Sequence, residues 1–532
     1  MEFNLADIFE SVVDVVGDRE ALICPDRRLT FDELEARANQ LAHHLQSVGV
    51  GAGDHVAVQL YNGTEYVEVM IACFKVRAVP INVNYRYVAD ELAYLFNDAD
   101  VVALLADTEF TERVEAVRSR TPLLRHILTV GDGPRPDGAV DYEDALAAQS
   151  ADRTGFPQRS PDDLYIIYTG GTTGMPKGVM WRQEDLFFAG MGGADPTGTP
   201  VARPEEVAER LASRGVLNYF PVAPLMHGAA QLATWIAFLQ GSKVMLVRKF
   251  DAVDVIETAV RERANTMSIV GDAMARPLAE ALEGDYADAD LSSLYALSSA
   301  GAILSQAVRD KLAARLPNVM LLDNFGASET GFQGTGTAGS SPDKGLRFTV
   351  NARSFVLDDN LKPVEPGSGV VGRVAQRGHV PVGYYKDEVK TKESFVTIDG
   401  ERWVLLGDMA TVEEDGAIAV LGRGSVCINT GGEKVYPEEV EAVLKAHPAV
   451  YDAVVAGVAD ERFGQRPAAV VQLRPDVDTS EDELITHARE HLAGYKAPTF
   501  VVVVPEIRRS PSGKADYPWA AKVTAARAAG TS

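Results

Sequence analysis

The chain has 532 residues, too many for one compact core, so we expect at least two domains. Its hydrophobic content of 46% and charged content of 24% are typical of a globular protein in water. The formal net charge of −25 at pH 7 argues against a nucleic-acid partner, because any basic surface would have to overcome that negative field.

The amino-terminal residues predict neither export nor membrane insertion. They contain no basic region followed by an unbroken apolar run, which argues against a secretory signal and favours a cytoplasmic location. The most apolar early segment, residues 67–83, contains Glu68, Lys75 and Arg77, so it is interpreted as core rather than as an integral membrane segment.

Helices and strands alternate in the first part of the chain. Residues 31–48 place apolar side chains at intervals of three and four, and Thr30 precedes them as a candidate N-cap, which predicts an amphipathic helix. Residues 55–60 are predicted as a strand, and a helical stretch then leads to another strand at 78–83. This alternation predicts an α/β architecture with largely parallel sheets.

A loop rich in glycine and threonine follows a predicted strand over residues 163–168. Glycines let a backbone turn tightly and approach a polyphosphate, while hydroxyls and a lysine supply donors and charge. The loop lacks the Walker A spacing, so a different class of ATP-using enzyme is indicated, although an ordinary connection between strands is the alternative. Its polar and glycine residues are Thr169, Gly170, Gly171, Thr172, Thr173, Gly174 and Lys177.

The carboxyl-terminal part of the chain has a self-contained α/β pattern of its own. We place the domain boundary at residues 422–425, because the pattern begins just after them. The predicted elements are a helix at 437–446, strands at 453–458 and 468–473, a helix at 481–492 and a strand at 500–504.

Short motifs downstream of the glycine-threonine loop have a characteristic order and spacing. Together with the loop they resemble the adenylate-forming superfamily of acyl-CoA synthetases, luciferases and peptide-synthetase adenylation domains over nearly the whole chain. The motifs are Pro224-Leu225-Met226-His227-Gly228, Asn324-Phe325-Gly326-Ala327-Ser328-Glu329-Thr330-Gly331, Gly407-Asp408, Gly422-Arg423, Gly431-Gly432-Glu433 and Ser510-Pro511-Ser512-Gly513-Lys514.

Within that superfamily, residues 170–182, 271–277 and 422–441 resemble the actinobacterial acyl-CoA synthetases of fatty acids and steroid side-chain acids. The resemblance implies an α/β fold like that of acetyl-CoA synthetase. A large amino-terminal domain, residues 1–423, would contain stacked α/β subdomains and an additional β-barrel-like part. A small mobile α/β domain, residues 424–532, would follow.

The chemistry of this family explains the residue types. A carboxylate is a poor acyl donor, so the enzyme lets it attack the α-phosphate of ATP, which gives acyl-AMP and pyrophosphate. Negative charge accumulates at phosphorus, and a metal ion, fixed donors and a cation lower that barrier.

The resemblance assigns nucleotide-binding roles to several residues. Glu329 is the expected Mg²⁺ ligand, because a hard carboxylate suits that ion. Asp408 is expected to accept hydrogen bonds from the ribose hydroxyls, with Arg423 assisting. Phe325 replaces a frequent tyrosine beside adenine and Ser328 replaces a frequent threonine beside phosphate. The other residues expected to contact the nucleotide are Gly301, Ala302, Asn324 and Gly326.

Two further residues are expected to act on the acyl group. Lys514 is expected to enter the site from the small domain and to bridge the acyl carboxylate and the α-phosphate. A solvated surface lysine is the alternative. His227 is expected to line the acyl pocket and to shift between the two half-reactions, whereas a satisfied core histidine is its alternative.

The second step is attack of the CoA thiol on acyl-AMP. In the family the small domain rotates about a hinge, here near Gly424 and Ser425, and presents a different face. Gly431 and Gly432 on that face have no side chains, so a pantetheine arm could pass close to their backbone.

Small residues after His227, and few expected charges on the pocket walls, favour a bulky apolar acid, either a long fatty acid or a steroid side-chain acid. The expected partners are therefore the acid, ATP and CoA, and a homodimer is an arrangement the sequence leaves open.

Two other functions remain alternatives at this stage. An acyl-AMP ligase would load a carrier protein in place of CoA. A non-catalytic nucleotide-binding regulator on the same fold belongs to another class. This alternative is disfavoured because the chain retains all of Thr169, Lys177, Glu329, Asp408, Arg423 and Lys514.

Overall fold

A computed structural model describes most of the chain. The described residues are 1–169, 175–196, 198–302, 304–336, 346–430, 433–460, 462–475, 477–509 and 514–530, without the side chains of Arg423 and Ser425.

Helices and strands alternate through both parts of the chain. In the first part the strands are β1 (Glu20–Cys24), β2 (Arg27–Thr30), β3 (His55–Gln59), β4 (Val79–Asn82), β5 (Val101–Asp107), β6 (His126–Val130), β7 (Val140–Asp141), β8 (Leu164–Thr169), β9 (Lys177–Arg182), β10 (Asn218–Pro221), β11 (Lys243–Met245), β12 (Thr266–Ile269), β13 (Ala296–Ala300), β14 (Met320–Ala327), β15 (Gly331–Gly336), β16 (Leu346–Val350), β17 (Ser354–Leu357), β18 (Gly372–Arg377), β19 (Gly383–Tyr384), β20 (Phe395–Ile398), β21 (Glu401–Val412) and β22 (Ile418–Arg423). The strands that follow are β23 (Ile428–Thr430), β24 (Glu433–Val435), β25 (Val450–Asp460), β26 (Gly464–Leu473) and β27 (Val501–Val504). The helices are α1 (Leu5–Val16), α2 (Phe31–Ser47), α3 (Thr64–Lys75), α4 (Ala89–Asp98), α5 (Thr111–Arg118), α6 (Tyr142–Ala147), α7 (Gln183–Gly190), α8 (Glu205–Leu211), α9 (Gly228–Leu239), α10 (Ala252–Arg261), α11 (Gly271–Glu283), α12 (Gln306–Arg315), α13 (Glu388–Ser394), α14 (Pro437–Ala446), α15 (Glu481–His491) and α16 (Tyr517–Ala528).

The strands form three sheets. The largest has the order β17-β18-β21-β22-β16-β15-β14-β13-β12-β10-β11-β1-β2, and β20 pairs with β21. The second has the order β19-β9-β8-β4-β3-β5-β6-β7. The third, in the small domain, has the order β24-β23-β26-β25, and β27 pairs with β26. Adjacent strands among β10 to β14 are parallel, as are those among β3 to β8, because helices connect them.

The two-domain α/β prediction is confirmed, with one difference in the barrel-like part. The last strands of the large domain, β16 to β18 and β20 to β22, form no closed barrel in the described part of the chain. Pairing of Gly334 with Val350 joins β15 to β16, so these antiparallel strands continue the large sheet as an open layer.

Local sequence signals account for the elements that were predicted correctly. Helix α2 begins at Phe31 with Thr30 as N-cap, and Glu33 completes a capping box by accepting from the Thr30 amide. In the small domain, α14 has the predicted bounds and β27 begins one residue after its predicted start. No helix among the described residues is long and apolar enough to cross a bilayer.

Helix α3 is buried on all sides and contains a fully buried lysine. Lys75 has no exposed side-chain surface, and its Nζ lies 2.5 Å from Glu10 and 2.8 Å from Glu35. Arg153 and Arg159 extend the network by binding Glu35 at 2.7 Å and Glu10 at 2.8 Å. The network therefore ties α1 and α2 to α3 through a fully buried ammonium and two largely buried carboxylates.

We expect Lys75→Ala to lower the free energy of unfolding by about 3–5 kcal/mol, because it leaves buried carboxylates without their ammonium partner. Urea titration followed by circular dichroism measures the change. Lys392→Ala is the matched control, because that pair with Glu388 is 80% and 90% exposed and should change stability by less than about 0.5 kcal/mol. Equal effects of the two substitutions would contradict the expectation.

Candidate functional site

A large cavity lies where the carboxyl ends of the parallel strands meet the small domain. Its volume is about 2160 Å³. Strands β8, β13 and β14 end at this cavity, and the segments that follow them form part of its wall. Ligands of open α/β sheets bind at such an edge, because the loops there carry side chains and unpaired backbone groups.

Most of the predicted site residues lie on the wall of this one cavity. The strand-end and loop residues there are Thr169, His227, Gly301, Ala302, Asn324, Phe325, Gly326, Ser328, Glu329, Asp408 and Lys514. The predicted residues Gly170, Gly171, Thr172, Thr173, Gly174, Gly431 and Gly432, and the side chain of Arg423, lie outside the described part of the structure.

The glycine-threonine loop connects two antiparallel strands. Thr169 at the end of β8 pairs directly with Lys177 at the start of β9. Asn82 holds β8 in place, because its side chain accepts from the Tyr168 amide at 2.7 Å and donates to the Tyr168 carbonyl at 2.8 Å. The same amide group donates to the Met226 carbonyl at 2.7 Å, so Asn82 couples the loop to the segment that contains His227.

Lys177 does not line the cavity in this structure. Its Nζ lies 2.9 Å from Asp387 and 5.6 Å from the centre of the Tyr384 ring. The hydrogen bond from Lys177 lowers the pKa of Asp387. The lysine is thus held at the base of the hairpin rather than at the cavity surface.

Glu329 lies in the turn between β14 and β15, and its carboxylate is fixed by a tyrosine. The Tyr384 hydroxyl donates to Glu329 Oε1 at 2.9 Å. Burial, together with the charge of Glu329, raises the pKa of Tyr384, so this hydroxyl keeps its proton and remains a donor. Trp181 Nε1 donates to the Ser328 carbonyl at 2.8 Å and fixes the preceding residue.

The same turn requires glycine at its far side. Gly331 has φ of +66°, and a Cβ there would lie 2.7 Å from the Ala189 carbonyl oxygen. Strand β15 therefore approaches the end of α7 more closely than a residue with a side chain allows.

Two other predicted groups present flat or open surfaces to the cavity. Phe325 stacks on Phe348 with ring centres 4.9 Å apart, so its plane is held by an aromatic neighbour. Gly301 has φ of +79°, and a Cβ there would meet no atom within 4 Å. Its backbone can therefore be approached closely by a ligand.

Asp408 and Arg423 are partners across the antiparallel pair β21–β22. Directly opposed residues in such a pair have Cβ atoms about 5 Å apart. The structure thus brings these two sequence motifs together at the level of the backbone, with Asp408 on the cavity wall.

Lys514 approaches His227 across the cavity. Removal from solvent lowers the pKa of His227 to about 4, and the positive charges of Lys514 and Arg86 contribute. The imidazole is therefore neutral at pH 7, and it faces a lysine that comes from the small domain.

A cation–π contact also joins the two domains. The Arg276 guanidinium on α11 lies 4.6 Å from the centre of the Tyr451 ring on β25. Arg276 is 4% exposed, and its Nη2 lies 3.5 Å from Asp272.

Sequence reasoning missed Asn82, Tyr384 and Asp387. Each acts on a residue far away in the chain, and the Asn82 and Asp387 contacts bridge 86 and 210 positions. A single sequence contains no local signal for such contacts.

Comparison with known proteins gives a consistent result. Residues 9–385 match the family described as AMP-binding enzyme, and residues 439–514 match the AMP-binding enzyme C-terminal domain. The medium/long-chain-fatty-acid–CoA/3-oxocholest-4-en-26-oate–CoA ligase of Mycobacterium tuberculosis is 48% identical over 534 residues, which cover 99% of this chain and 97% of that protein. The 3-oxocholest-4-en-26-oate–CoA ligase of Rhodococcus rhodochrous is 46% identical over 540 residues, with coverage of 99% and 97%.

Solved structures share the fold. The anthranilate CoA ligase AuaEII in complex with anthranoyl-AMP has a TM-score of 0.84 at 25% identity, with 99% of this chain and 98% of that chain covered. ATP-bound MatB from Rhodopseudomonas palustris has a TM-score of 0.81 at 23% identity, with coverage of 98% and 99%.

We expect Lys514→Ala to raise the pKa of His227, because the substitution removes a nearby positive charge that disfavours the imidazolium form. A histidine-selective NMR titration of the assigned His227 resonance measures this shift. Lys522→Ala, on the exposed face of α16, is the matched control and should leave the pKa unchanged. An unchanged His227 pKa in Lys514→Ala would show that Lys514 does not lie close to His227.

Proposed function

Because the chain belongs to the AMP-binding enzyme family, we propose that it is an AMP-forming acyl-CoA synthetase. In the first half-reaction a carboxylic acid and ATP give acyl-AMP and pyrophosphate. In the second, the thiol of CoA displaces AMP and forms the thioester. The names of the fatty-acid and steroid-acid CoA ligases that resemble this chain support both the reaction and the acceptor.

One observation carries the proposal. Thr169, Glu329, Asp408 and Lys514 come from segments far apart in the sequence, and all of them line the same cavity. Together they offer a hydroxyl, a metal-binding carboxylate, an acceptor for hydroxyl groups and a cation. Transfer of an adenylyl group requires these four kinds of group.

We assign the nucleotide to the strand ends. Asp408 accepts hydrogen bonds from the ribose hydroxyls, with Arg423 beside it. Gly301, Ala302 and the Asn324–Gly326 segment flank the adenine, and the open backbone at Gly301 gives it room. Thr169, Ser328 and the loop at 170–174 donate to the phosphates, with Lys177 at the base of that hairpin.

Glu329 fits a magnesium ion. Its carboxylate lines the cavity, and only its Oε1 accepts a hydrogen bond within the described part of the chain. The other oxygen is the hard ligand that Mg²⁺ prefers. Magnesium bound there would neutralise phosphate charge. Tyr384 holds the carboxylate in one orientation for that purpose.

Lys514 stabilises the transition state of adenylation. Its ammonium lies between the attacking carboxylate and the α-phosphate and offsets the charge that develops there. Because burial lowers the pKa of His227 to about 4, the imidazole is neutral at pH 7, adds no competing positive charge and is a weak base. Its proposed role is to gate the acyl pocket between the two half-reactions.

Thioester formation requires the small domain to move. We place the boundary between residues 1–423 and 424–532, with the hinge at residues 424–425. Rotation withdraws Lys514, breaks the contact between Arg276 and Tyr451, and brings the face with Gly431 and Gly432 toward the acyl carbon. CoA enters along that glycine-lined face. Supply of ATP and CoA makes the cytoplasm the proposed location.

The proposed substrate is a bulky apolar acid, either a long fatty acid or a steroid side-chain acid. The size of the cavity and the apolar residues on its wall support this class, as do the printed activities of the similar ligases.

Release of pyrophosphate, measured against short, medium, long, aromatic and steroid acids with and without CoA, tests the function. We expect turnover with long or steroid acids, and acyl-CoA formation only when CoA is present. Turnover that needs a carrier protein and ignores free CoA would favour an acyl-AMP ligase. Absence of pyrophosphate with every acid would favour a non-catalytic nucleotide-binding protein.

We expect Lys514→Ala to slow acyl-AMP formation by about 100-fold or more, the scale for loss of one donor to a transition state. Exchange of labelled pyrophosphate into ATP measures this half-reaction. The second half-reaction, started from synthetic acyl-AMP, should keep most of its rate, because Lys514 has then left the site. Lys522→Ala is again the control, and wild-type exchange in Lys514→Ala would refute the assigned role.

A further inference from the structure

We infer that the far end of the cavity contains a binding subsite for an uncharged oxygen on the acid, formed by Tyr219 and Gln240. The oxygen would be a ketone or hydroxyl at the end of the substrate opposite its carboxylate. The inference rests on the proposed function and narrows its substrate class.

One face of α9 runs along the cavity and defines its long axis. Ala229, Leu232, Ala233, Ile236 and Gln240 line it and recur at helical intervals, so they share one side of the helix. At about 1.5 Å per residue, this face runs about 20 Å from His227 to Gln240. A long acyl chain or a steroid nucleus with its side chain has a similar length.

The wall opposite α9 is formed by strands that run toward the nucleotide edge, whereas α9 runs away from it. Strands β10 and β13 are parallel, and both have their carboxyl ends at the nucleotide edge, near His227 and Gly301. Tyr219 lies near the start of β10, and Tyr295 immediately precedes β13. Both tyrosines line the cavity, so they belong to the end remote from the reacting carboxylate.

Polar groups at that end are arranged for an uncharged ligand. The Tyr219 hydroxyl donates to Gln240 Oε1 at 2.7 Å. This bond orients the amide, and its Nε2 donates to no protein acceptor within the described residues. Removal from solvent raises the pKa of Tyr219 to about 12, so the phenol remains neutral. A ketone could accept from the amide, and a hydroxyl could also donate to the phenol oxygen.

The two described charged side chains that act on Tyr219, Asp195 and Arg214, are paired with each other. Asp195 lines the cavity, and Arg214 binds it at 2.6 Å while donating to the Ala194 carbonyl at 2.7 Å. The pair leaves neither a free cation for a second carboxylate nor a free anion for an amine. The end of the cavity therefore favours a neutral oxygen.

The walls between the two ends make the polar pair selective. Leu232, Ala233 and Ile236 offer no hydrogen bond to the body of the substrate. An acid that ends in a hydrocarbon would cover the Gln240 amide without giving it an acceptor, and an unpaired polar group costs free energy when it is buried. An acid with an oxygen at that end avoids this cost.

The test compares pairs of acids that differ in one oxygen. One pair is 3-oxocholest-4-en-26-oate and cholest-4-en-26-oate, and the other is 16-hydroxyhexadecanoate and hexadecanoate. For each pair, kcat/KM for pyrophosphate release is measured in the wild type, in Gln240→Met and in Tyr219→Phe. We expect the wild type to prefer at least one oxygenated acid by about 10-fold, and both variants to lose most of that preference.

Tyr286→Phe is the matched control, because its hydroxyl donates to Glu257 at an exposed site and neither residue lines the cavity. It should keep the wild-type preference. Retention of activity toward hexadecanoate shows that a variant is folded. Equal use of both members of each pair by the wild type, or an unchanged preference in both variants, would overturn the inference while leaving the synthetase function intact. Failure of every acid to release pyrophosphate would instead refute the proposed function.

Discussion

The candidate site depends on the direction of the strands in the two large sheets. Parallel strands place their carboxyl ends at one edge of a sheet, and β8 in one sheet and β13 and β14 in the other all end at the same cavity although they are far apart in the chain. Thr169, Gly301 and Glu329 owe their proximity to this arrangement. Loss of parallel order would scatter the groups even if every residue were retained.

Side-chain hydrogen bonds then fix the backbone and the carboxylate groups that lie at the strand ends. Asn82 links the Tyr168 backbone to that of Met226, and Tyr384 holds the carboxylate of Glu329. Such contacts reduce the reorganisation needed when charge develops on a ligand. Lys514, by contrast, comes from the small domain. Under the proposed function, the site would combine a fixed anion-binding edge with a cation that leaves when the small domain moves.

Much of the fold could be predicted from sequence because its signals are local. The capping box of α2 and the periodicity of α14 each lie within a few residues, and the strand before Thr169 is an apolar run of ordinary length. Thr169 and described motif residues from His227 to Lys514 also meet at one cavity, and they could be identified because their order follows a known family. The open layer formed by β16 to β18 and β20 to β22 was harder to predict, because strand pairing across long separations decides whether a barrel closes.

The parts that escaped prediction share a physical cause. Tyr384 is 55 positions from Glu329, and Tyr219 is 21 positions from Gln240, so each pair is made by the fold alone. Nothing in the residues around either partner indicates the contact. The same reason explains why Lys177 could be recognised as part of the loop while its ion pair with Asp387 could not.

The contact between Arg276 and Tyr451 has a consequence for the timing of catalysis. A cation–π interaction of this kind contributes about 0.5–2 kcal/mol, which corresponds to an equilibrium shift of roughly 2- to 30-fold. Under the proposed function, that shift favours the arrangement that activates the acid over the arrangement that accepts the thiol. Two side chains with no part in bond making would thus set how long the mixed anhydride is shielded from water before it is consumed.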